Sequence, residues 1–259
     1  MSKAILYDAT LCIDCKACER ACAEENHLPY DDVVAAEEKQ SAHKFTVVMA
    51  QGDKYMRRLC MNCLDPTCVS VCPVAALTKS ELGPVTYDAS RCIGCRYCMQ
   101  ACPFSVPKYE WDKPLPRIRK CNMCADRVLA GKQTACAEAC PTGATKFGER
   151  DALIAEARDR IAKNPSQYVN HVYGVNEVGG TSVLLLSSAP FETFGYPANL
   201  GNQPLPLLTY RALSHVPDIL IVGSVLLGGI WWITNRREQV AAVESKLSQP
   251  PPRDERKRS

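Results

Sequence analysis

Cysteine is the residue that most constrains this chain. Sixteen of its 259 residues are cysteines, far more than most chains of this length carry, and they form four groups with none left over. The groups are Cys12, Cys15, Cys18 and Cys22; Cys60, Cys63, Cys68 and Cys72; Cys92, Cys95, Cys98 and Cys102; and Cys121, Cys124, Cys136 and Cys140. Each group begins C-x-x-C and ends C-x-x-x-C, so the chain contains an internal repeat in which only the middle gap varies.

This spacing favours iron–sulfur clusters over zinc or disulfides. In the run C-x-x-C-x-x-C-x-x-x-C-P, three thiolates bind one [4Fe–4S] cluster and the fourth serves the other cluster of a pair. Groups two to four have the proline (Pro73, Pro103 and Pro141), whereas group one has Ala23 instead. Zinc sites do not use a C-x-x-x-C-P half, and disulfide frameworks suit short secreted chains. We therefore predict four [4Fe–4S] clusters, because the third ligand is present in every group.

Regular elements are expected around the cysteine groups. Apolar or β-favouring runs predict three strands, at Ala4–Tyr7, Thr46–Ala50 and Val85–Tyr87,. Short helical turns are expected after each C-x-x-x-C-P end. Apolar residues at helical spacing predict an amphipathic helix over Asp151–Ala162. A hairpin is expected from Tyr168–Tyr173 and Thr181–Ser187 around Gly179 and Gly180, and a Pro- and Gly-rich linker over Phe194–Tyr210.

One membrane-spanning helix is predicted near the C-terminus. Val216–Thr234 has 19 residues, about 28 Å of helix at roughly 1.5 Å per residue, which just spans a hydrocarbon core of about 30 Å. Ser214 is the expected N-cap and Pro217 suits the first turn. Trp231 and Trp232 lie where an interfacial aromatic belt is expected.

The flanks of this segment predict its orientation. Arg236 and Arg237 follow it immediately, so the positive-inside rule puts the 236–259 tail in the cytoplasm and the cysteine-bearing head in the periplasm. Met1–Asp8 leaves no room for a signal peptide. We therefore expect a single-pass inner-membrane protein that is exported with a partner carrying the signal; a cytoplasmic chain is the alternative.

The charge distribution excludes some functions. The net charge of +3 lies in residues 235–259, which hold seven basic and four acidic residues, and the remainder is neutral with 24 of each. Without a basic face, nucleic acid is not an expected partner. No nucleophile–base pair, P-loop or dinucleotide fingerprint is present, so we expect no catalysis by the chain alone.

Five charged or titratable residues can each be interpreted in two ways. Lys16, Arg20, Arg91 and Arg96 lie among the cysteines and either offset the negative charge of the clusters or are ordinary solvated charges. His215 lies at the start of the apolar segment, either near a haem or quinone of a partner or simply at the interface.

The order and gaps of the cysteine groups resemble the four-cluster iron–sulfur subunits of respiratory molybdoenzymes and hydrogenases, over residues 4–190. That family includes subunits of membrane formate dehydrogenase, dimethyl sulfoxide reductase, nitrate reductase and hydrogenase-2. The resemblance implies four ligand sets: set one, Cys12, Cys15, Cys18 and Cys140; set two, Cys22, Cys121, Cys124 and Cys136; set three, Cys60, Cys63, Cys68 and Cys102; and set four, Cys72, Cys92, Cys95 and Cys98. Cys95 stands where nitrate reductase has Trp, which favours a [4Fe–4S] cluster there.

The resemblance also implies a fold. It is α+β, with two interleaved bacterial-ferredoxin-like domains of two [4Fe–4S] clusters each and one C-terminal transmembrane helix. The expected bounds are 1–59 plus 103–150 for groups one and four, 60–102 for groups two and three, 151–215 for a helix, hairpin and linker, 216–235 for the transmembrane helix and 236–259 for a basic tail.

The implied function is electron relay within a membrane-bound respiratory oxidoreductase. A catalytic large subunit, with nickel–iron or molybdopterin, is expected near set one, and a membrane subunit that binds quinone or haem near set four and residues 216–235. Ser224 and Gly228 would let a partner helix approach. A C-terminal membrane helix is typical of the formate dehydrogenase and hydrogenase-2 types and not of the dimethyl sulfoxide type, and His171–Pro197 looks more like the hydrogenase-2 type than the formate dehydrogenase type. A quinol-dependent reductase of sulfur, arsenic or nitrogen compounds, and a free-standing ferredoxin-like carrier or membrane scaffold, are the alternatives.

Overall fold

The computed structural model describes residues 2–35 and 37–248. The chain divides between Leu207 and Leu208 into two compact units. The first unit contains all sixteen cysteines and is α+β, and the second is helical. The predicted fold class is thereby confirmed as an α+β chain with ferredoxin-like cysteine motifs and one long apolar C-terminal helix.

Within the described residues there are nine strands and nine α-helices, most of them short. The strands are β1 (Lys3–Asp8), β2 (Val47–Gln51), β3 (Lys54–Arg58), β4 (Leu77–Lys79), β5 (Val85–Tyr87), β6 (Lys108–Tyr109), β7 (Ile118–Arg119), β8 (Thr145–Glu149) and β9 (Val183–Leu186). The helices are α1 (Ala17–Glu25), α2 (Asp32–Ala35), α3 (Thr67–Ser70), α4 (Tyr97–Ala101), α5 (Ala125–Leu129), α6 (Ala135–Glu138), α7 (Arg150–Lys163), α8 (Leu205–Leu213) and α9 (Val216–Leu247). The three predicted strands correspond to β1, β2 and β5.

A three-stranded sheet of order β8-β1-β9 forms the centre of the first unit. Strand β8 pairs antiparallel with β1, and β9 pairs parallel with it. Alternate residues of β1 face opposite sides. Ile5 and Tyr7 belong to the core that contains cysteines, whereas Ala4 and Leu6 pack in a second core with α7. Because both faces are covered, the strand is apolar almost throughout.

Helix α7 confirms the predicted amphipathic helix. Its apolar residues at helical spacing are all buried: Leu153, Ile154, Ala157 and Ile161. They pack against β1 and β9 in the second core, so this helix covers the side of the sheet that faces away from the cysteines.

The predicted hairpin is wrong, because its second strand, β9, pairs with a different segment of the chain. Strand β9 pairs parallel with β1, and a single antiparallel bridge, Tyr173 with Leu185, is all that joins it to the Tyr168–Tyr173 segment within the described residues. The reason is burial. All four residues of β9 are fully buried, so the strand needs a sheet that is covered on both faces, which an isolated two-stranded hairpin does not provide.

Three small antiparallel hairpins lie between the cysteine groups along the chain. The pairs are β2–β3, β4–β5 and β6–β7, and each lies in the gap between two consecutive groups. The expected helical turns after each C-x-x-x-C-P are wrong in position. Short helices instead lie within the groups and lead from the third cysteine to the fourth.

The segment predicted as a linker is partly regular. Phe191–Phe194 forms a 3-10 turn with buried Phe194, Tyr196 is also buried, and α8 begins at Leu205. The burial of these two aromatic residues, which the sequence intersperses with prolines and glycines, is the physical reason that this part of the segment is ordered.

Helix α9 is longer than predicted. It has 32 residues, about 48 Å, and continues three turns beyond the apolar segment through Arg236 and Arg237. Pro217 lies in the first turn as expected, but His215 is the N-cap and makes no side-chain capping bond. Ser214 instead donates to the Arg211 carbonyl. Of the predicted tail, residues 249–259 lie outside the described residues.

Candidate iron–sulfur centres

The residue before the second cysteine has the same unusual backbone in all four groups. Asp14, Asn62, Gly94 and Met123 have φ of 56°, 46°, 70° and 56°, the left-handed region that few non-glycine residues adopt. Each C-x-x-C segment therefore turns sharply and keeps its two cysteines near each other. Asp, Asn and Gly tolerate this region well, and Met123 is held there while 1% exposed.

The third cysteine of each group occupies the second position of a short helix. Cys18 lies in α1, Cys68 in α3, Cys98 in α4 and Cys136 in α6. Backbone N–H groups of a first helical turn have no partner within the helix, so they are available to a thiolate. This placement is shared despite middle gaps of two to eleven residues.

The proline after the fourth cysteine sets the next turn. Three residues beyond that cysteine, Ala75, Ser105 and Gly143 all have positive φ. The turn directs backbone N–H groups toward sulfur, because Ala76 N–H lies 3.3 Å from Cys72 Sγ and Thr145 N–H lies 3.3 Å from Cys140 Sγ. Such hydrogen bonds stabilise a thiolate.

Group one departs from this pattern because it lacks the proline. Helix α1 continues past Cys22 to Glu25, and the left-handed residue, His27, comes only after the helix has ended. Ala23 has an N–H to donate and no ring to clash with the preceding turn, which allows the extra turn of helix.

Electrostatic interactions between thiols identify which cysteines are neighbours. The interacting groups are Cys22 with Cys121, Cys124 and Cys136; Cys63 with Cys60, Cys68 and Cys102; Cys98 with Cys72, Cys92 and Cys95; and Cys18 with Cys12. The first three agree with predicted sets two, three and four, and Cys18 and Cys12 are the two members of set one that interact. Some interactions also join different sets, because Cys18 interacts with Cys136, Cys68 with Cys98 and Cys121 with Cys60. The four sets stay a prediction, which these neighbourhoods support.

Burial raises the pKa of eight of the sixteen thiols and makes them poor acids in the metal-free chain. It raises the pKa of Cys18, Cys68 and Cys121 to about 12. Burial also acts on Cys140, but hydrogen bonds from Thr145 and Thr142 outweigh it and lower that pKa. Because iron binds thiolates, cluster assembly must remove a proton from each buried thiol.

The donor set fits [4Fe–4S] clusters. All sixteen cysteines are free thiols, the ligand type such clusters require. Within the part of the chain that the structure describes, no three Cys, His, Asp or Glu side chains are close enough to hold one metal ion. A structural zinc ion needs that crowding, with sulfurs at about 2.3 Å from one centre, whereas a cubane presents a separate iron to each thiolate.

Two cysteines differ from the rest in exposure. Cys15 in group one and Cys95 in group three are exposed, and the other fourteen are buried or half-buried. Each follows an exposed isoleucine, since Ile13 is 61% exposed and Ile93 is 65% exposed. The chain therefore has two places where a cysteine and an apolar side chain reach the surface together.

The basic residues singled out in the sequence make surface contacts. Lys16 pairs with Asp14 at 2.6 Å, and Arg20 pairs with Asp32 at 2.7 Å. Arg91 is exposed, and Arg96 lies over the Tyr109 and Trp111 rings. These contacts favour the interpretation as ordinary surface charges for Arg20 and Arg91.

Sequence reasoning missed the buried cations. Arg57, Lys79 and Lys120 are buried or nearly so, and each interacts electrostatically with cysteines. Lys120 donates to the carbonyls of Val85 and Cys121 at 2.5 and 3.1 Å. Nothing in the local sequence distinguishes these residues from solvated charges, because their burial depends on strands that pair at long range.

The four turns that carry the cysteines, together with sixteen free thiols in an α+β chain, define a multi-cluster iron–sulfur protein of the ferredoxin-like class. Comparison with known proteins gives the family. Residues 52–150 match the model of the 4Fe-4S dicluster domain. Hydrogenase-2 operon protein HybA of Escherichia coli O157:H7 is 36% identical over 239 residues, which cover 76% of this chain and 73% of HybA.

Two further relatives have similar coverage. The formate dehydrogenase-O iron–sulfur subunit of Escherichia coli K12 is 34% identical over 217 residues, 75% of this chain and 70% of that subunit. A protein of Nitratidesulfovibrio vulgaris is 42% identical over 257 residues, 94% of this chain and 70% of that protein. The chain belongs to the family of 4Fe-4S iron–sulfur electron-transfer subunits related to HybA and the formate dehydrogenase iron–sulfur subunits.

Proposed function

We propose that the chain holds four [4Fe–4S] clusters in the four predicted ligand sets and relays electrons between a periplasmic catalytic subunit and a quinone-reactive membrane subunit. When bound, each cluster supplies a one-electron carrier. The chain supplies thiolates, backbone N–H donors and a buried core that holds them in place. The names of its relatives suggest two catalytic partners, a hydrogenase and a formate dehydrogenase.

The observation that carries this proposal is the exposure of Cys15 and Cys95. Electron transfer slows steeply with distance, so a relay needs one cluster near each partner and the others inside. Cys15 belongs to proposed set one and Cys95 to proposed set four, the two ends of the expected relay. Sets two and three consist entirely of buried or half-buried cysteines, as inner carriers should.

The surroundings of Cys95 support a protein contact. Beside Ile93, the exposed large apolar side chains Tyr97, Trp111 and Leu115 are 58%, 68% and 82% exposed. Arg96 stacks over Trp111 with its guanidinium carbon 5.4 Å from the ring centroid. Aromatic residues and arginine are enriched at protein interfaces. We assign this surface to the membrane subunit and the surface around Ile13 to the catalytic subunit.

Helix α9 supports the membrane location. Among the described residues, the helical stretch Leu205–Leu247 is the one that is long and apolar enough to cross a membrane, and its apolar window is not buried. Arg236 and Arg237 directly follow the apolar part, and by the positive-inside rule they favour a cytoplasmic C-terminus. Apart from adjacent residues and the nearby backbone of the helix itself, no described atom lies within 4 Å of the position that a Cβ would take at Gly223 or Gly228, which leaves room for a partner helix.

Purification in a mild detergent tests the proposal. We expect the chain to be recovered with a large subunit, identified by mass spectrometry and by its nickel or molybdenum, and with a membrane subunit. The chain itself should contain about sixteen irons and as many sulfides. Recovery of a detergent-free monomer, or zinc in place of iron, would contradict it.

A further inference from the structure

Arg57 is a buried cation without a counter-ion. It is 1% exposed, and its guanidinium donates to two neutral hydroxyls, Thr46 Oγ1 at 2.8 Å and Thr145 Oγ1 at 3.3 Å. No carboxylate in the described part of the chain forms an ion pair with it. A buried charge is costly unless something compensates it, so the surroundings of Arg57 have to supply the negative charge.

Thiolates of two different ligand sets can supply that charge once iron has replaced their protons. Arg57 lies close enough to Cys136, Cys18 and Cys22 to interact electrostatically with each of them. Thr145, whose hydroxyl accepts a hydrogen bond from Arg57, also donates its N–H to Cys140 Sγ at 3.3 Å. Cys18 belongs to proposed set one, and Cys22 and Cys136 belong to proposed set two. The guanidinium therefore lies between the two cysteine sets.

The backbone around Arg57 holds this arrangement. Arg57 lies in β3 opposite Val48 of β2, and its carbonyl accepts a hydrogen bond of 2.8 Å from the hydroxyl of Tyr196. The next residue, Arg58, donates to the carbonyl of Phe104 at 3.1 Å and is half-buried. Two adjacent arginines of one strand thus have different surroundings, which provides a matched control.

We propose that Arg57 supplies one fixed positive charge that is shared by the clusters of set one and set two and raises the reduction potential of both. This rests on the proposed ligand sets. Reduction adds negative charge to a cluster, and a nearby cation stabilises the reduced form. The effect is strong because the site is buried, where charges are poorly screened.

The test compares three variants of the chain in its purified complex. Arg57→Met removes the charge and keeps most of the bulk, Arg57→Lys keeps the charge, and Arg58→Met removes the neighbouring charge. Redox titration followed by electron paramagnetic resonance measures each centre, and Cys140→Ser and Cys121→Ser identify the signals of sets one and two. We expect Arg57→Met to lower two of four potentials, and Arg57→Lys and Arg58→Met to leave all four close to wild type.

Each other outcome decides the question. Unchanged potentials in Arg57→Met, an equal shift of all four, or a shift in Arg57→Lys as large as in Arg57→Met would each overturn the role of the charge. If Arg57→Met loses iron, intact clusters in Arg57→Lys support the proposal and their loss refutes it. The iron count and the number of signals in the wild-type chain test the ligand sets separately, so failure of the proposed function is recognised before the variants are compared.

Discussion

At the scale of single residues, the same backbone conformation occurs in all four cysteine groups. A left-handed residue precedes the second cysteine of every group, and another follows the proline in groups two to four. Asp14, Asn62 and Gly94 are residue types for which this conformation is ordinary. Met123 is not, which indicates that its packing in the cysteine-containing core offsets the backbone cost. The repeat is therefore a repeat of geometry as well as of ligands.

A buried carboxylate, Asp8, lies at the end of β1. Asp8 is 0% exposed. Its Oδ2 accepts hydrogen bonds from Arg160 at 2.6 Å and Tyr168 at 2.9 Å, and its Oδ1 accepts from the Thr10 N–H and hydroxyl. All its acceptor capacity is used just before Cys12, so this residue fixes where the first cysteine group starts.

Substitution of Asp8 by Asn should destabilise the first unit. Removing one partner of a buried ion pair costs about 3 kcal/mol, and the amide cannot accept all four hydrogen bonds. The control is Asp159→Asn, which breaks an exposed pair with Lys163 worth at most about 0.5 kcal/mol. The denaturant midpoint for loss of cluster absorbance should fall clearly for Asp8→Asn and barely for Asp159→Asn. Equal midpoints would mean that Asp8 has no structural role.

At the scale of elements, local patterns predicted what depends on local sequence. The three strands and α7 could be predicted because each has a complete pattern within a few residues, and every apolar position chosen in α7 is buried. The partner of β9 could not, since it pairs with a strand some 180 residues away. Likewise, the sequence gives no sign that Arg57 rather than Arg58 approaches the cysteines. That choice is made by strand pairing and tertiary packing.

The missing proline of group one allows a longer helix than in the other three groups. Helices α3, α4 and α6 have four or five residues, whereas α1 has nine. The extra turn of α1 carries Glu25, whose carboxylate accepts a hydrogen bond from Arg127 of α5 at 3.2 Å. Group one is thereby tied to the segment between the second and third cysteines of group four.

Helix α9 is expected to anchor the chain in the membrane, and a substitution in its apolar part tests this. Leu226 lies near the middle of its apolar part, and an arginine there costs about 3 kcal/mol of membrane insertion. Val240 lies beyond Arg236 and Arg237 on the same helix. With the signal-bearing partner co-expressed and the membrane subunit omitted, Leu226→Arg should shift protein from the carbonate-washed membrane pellet to the soluble fraction, and Val240→Arg should not. Equal retention of both variants would show that α9 is not the anchor.

At the scale of the whole molecule, the sequence predicted the class of protein, and the structure adds which cysteines are exposed. The cysteine spacing predicted clusters but not which of them approach the surface. Exposure distinguishes the ends, since Cys15 and Cys95 alone among the sixteen are exposed. We therefore expect a relay with one exposed cysteine at each proposed terminal set to have two distinct docking surfaces rather than one.

These two surfaces should be separable by single substitutions. Ile13→Asp places a carboxylate in the proposed contact with the catalytic subunit, and Ile93→Asp does so in the proposed contact with the membrane subunit. A carboxylate buried without a partner costs roughly 2 kcal/mol or more, which is more than tenfold in affinity. Ile13→Asp should therefore lose the large subunit on purification and keep the membrane subunit, and Ile93→Asp should do the reverse.

The control for both is Leu129→Asp, because Leu129 is as exposed as Ile13, at 61%, and lies in α5, away from both exposed cysteines in sequence. Since all three side chains extend into solvent, each variant should keep its full complement of iron, and only subunit recovery should change. If Ile13→Asp and Ile93→Asp lose the same subunit, the two exposed cysteines serve one partner, and the relay does not run from one to the other.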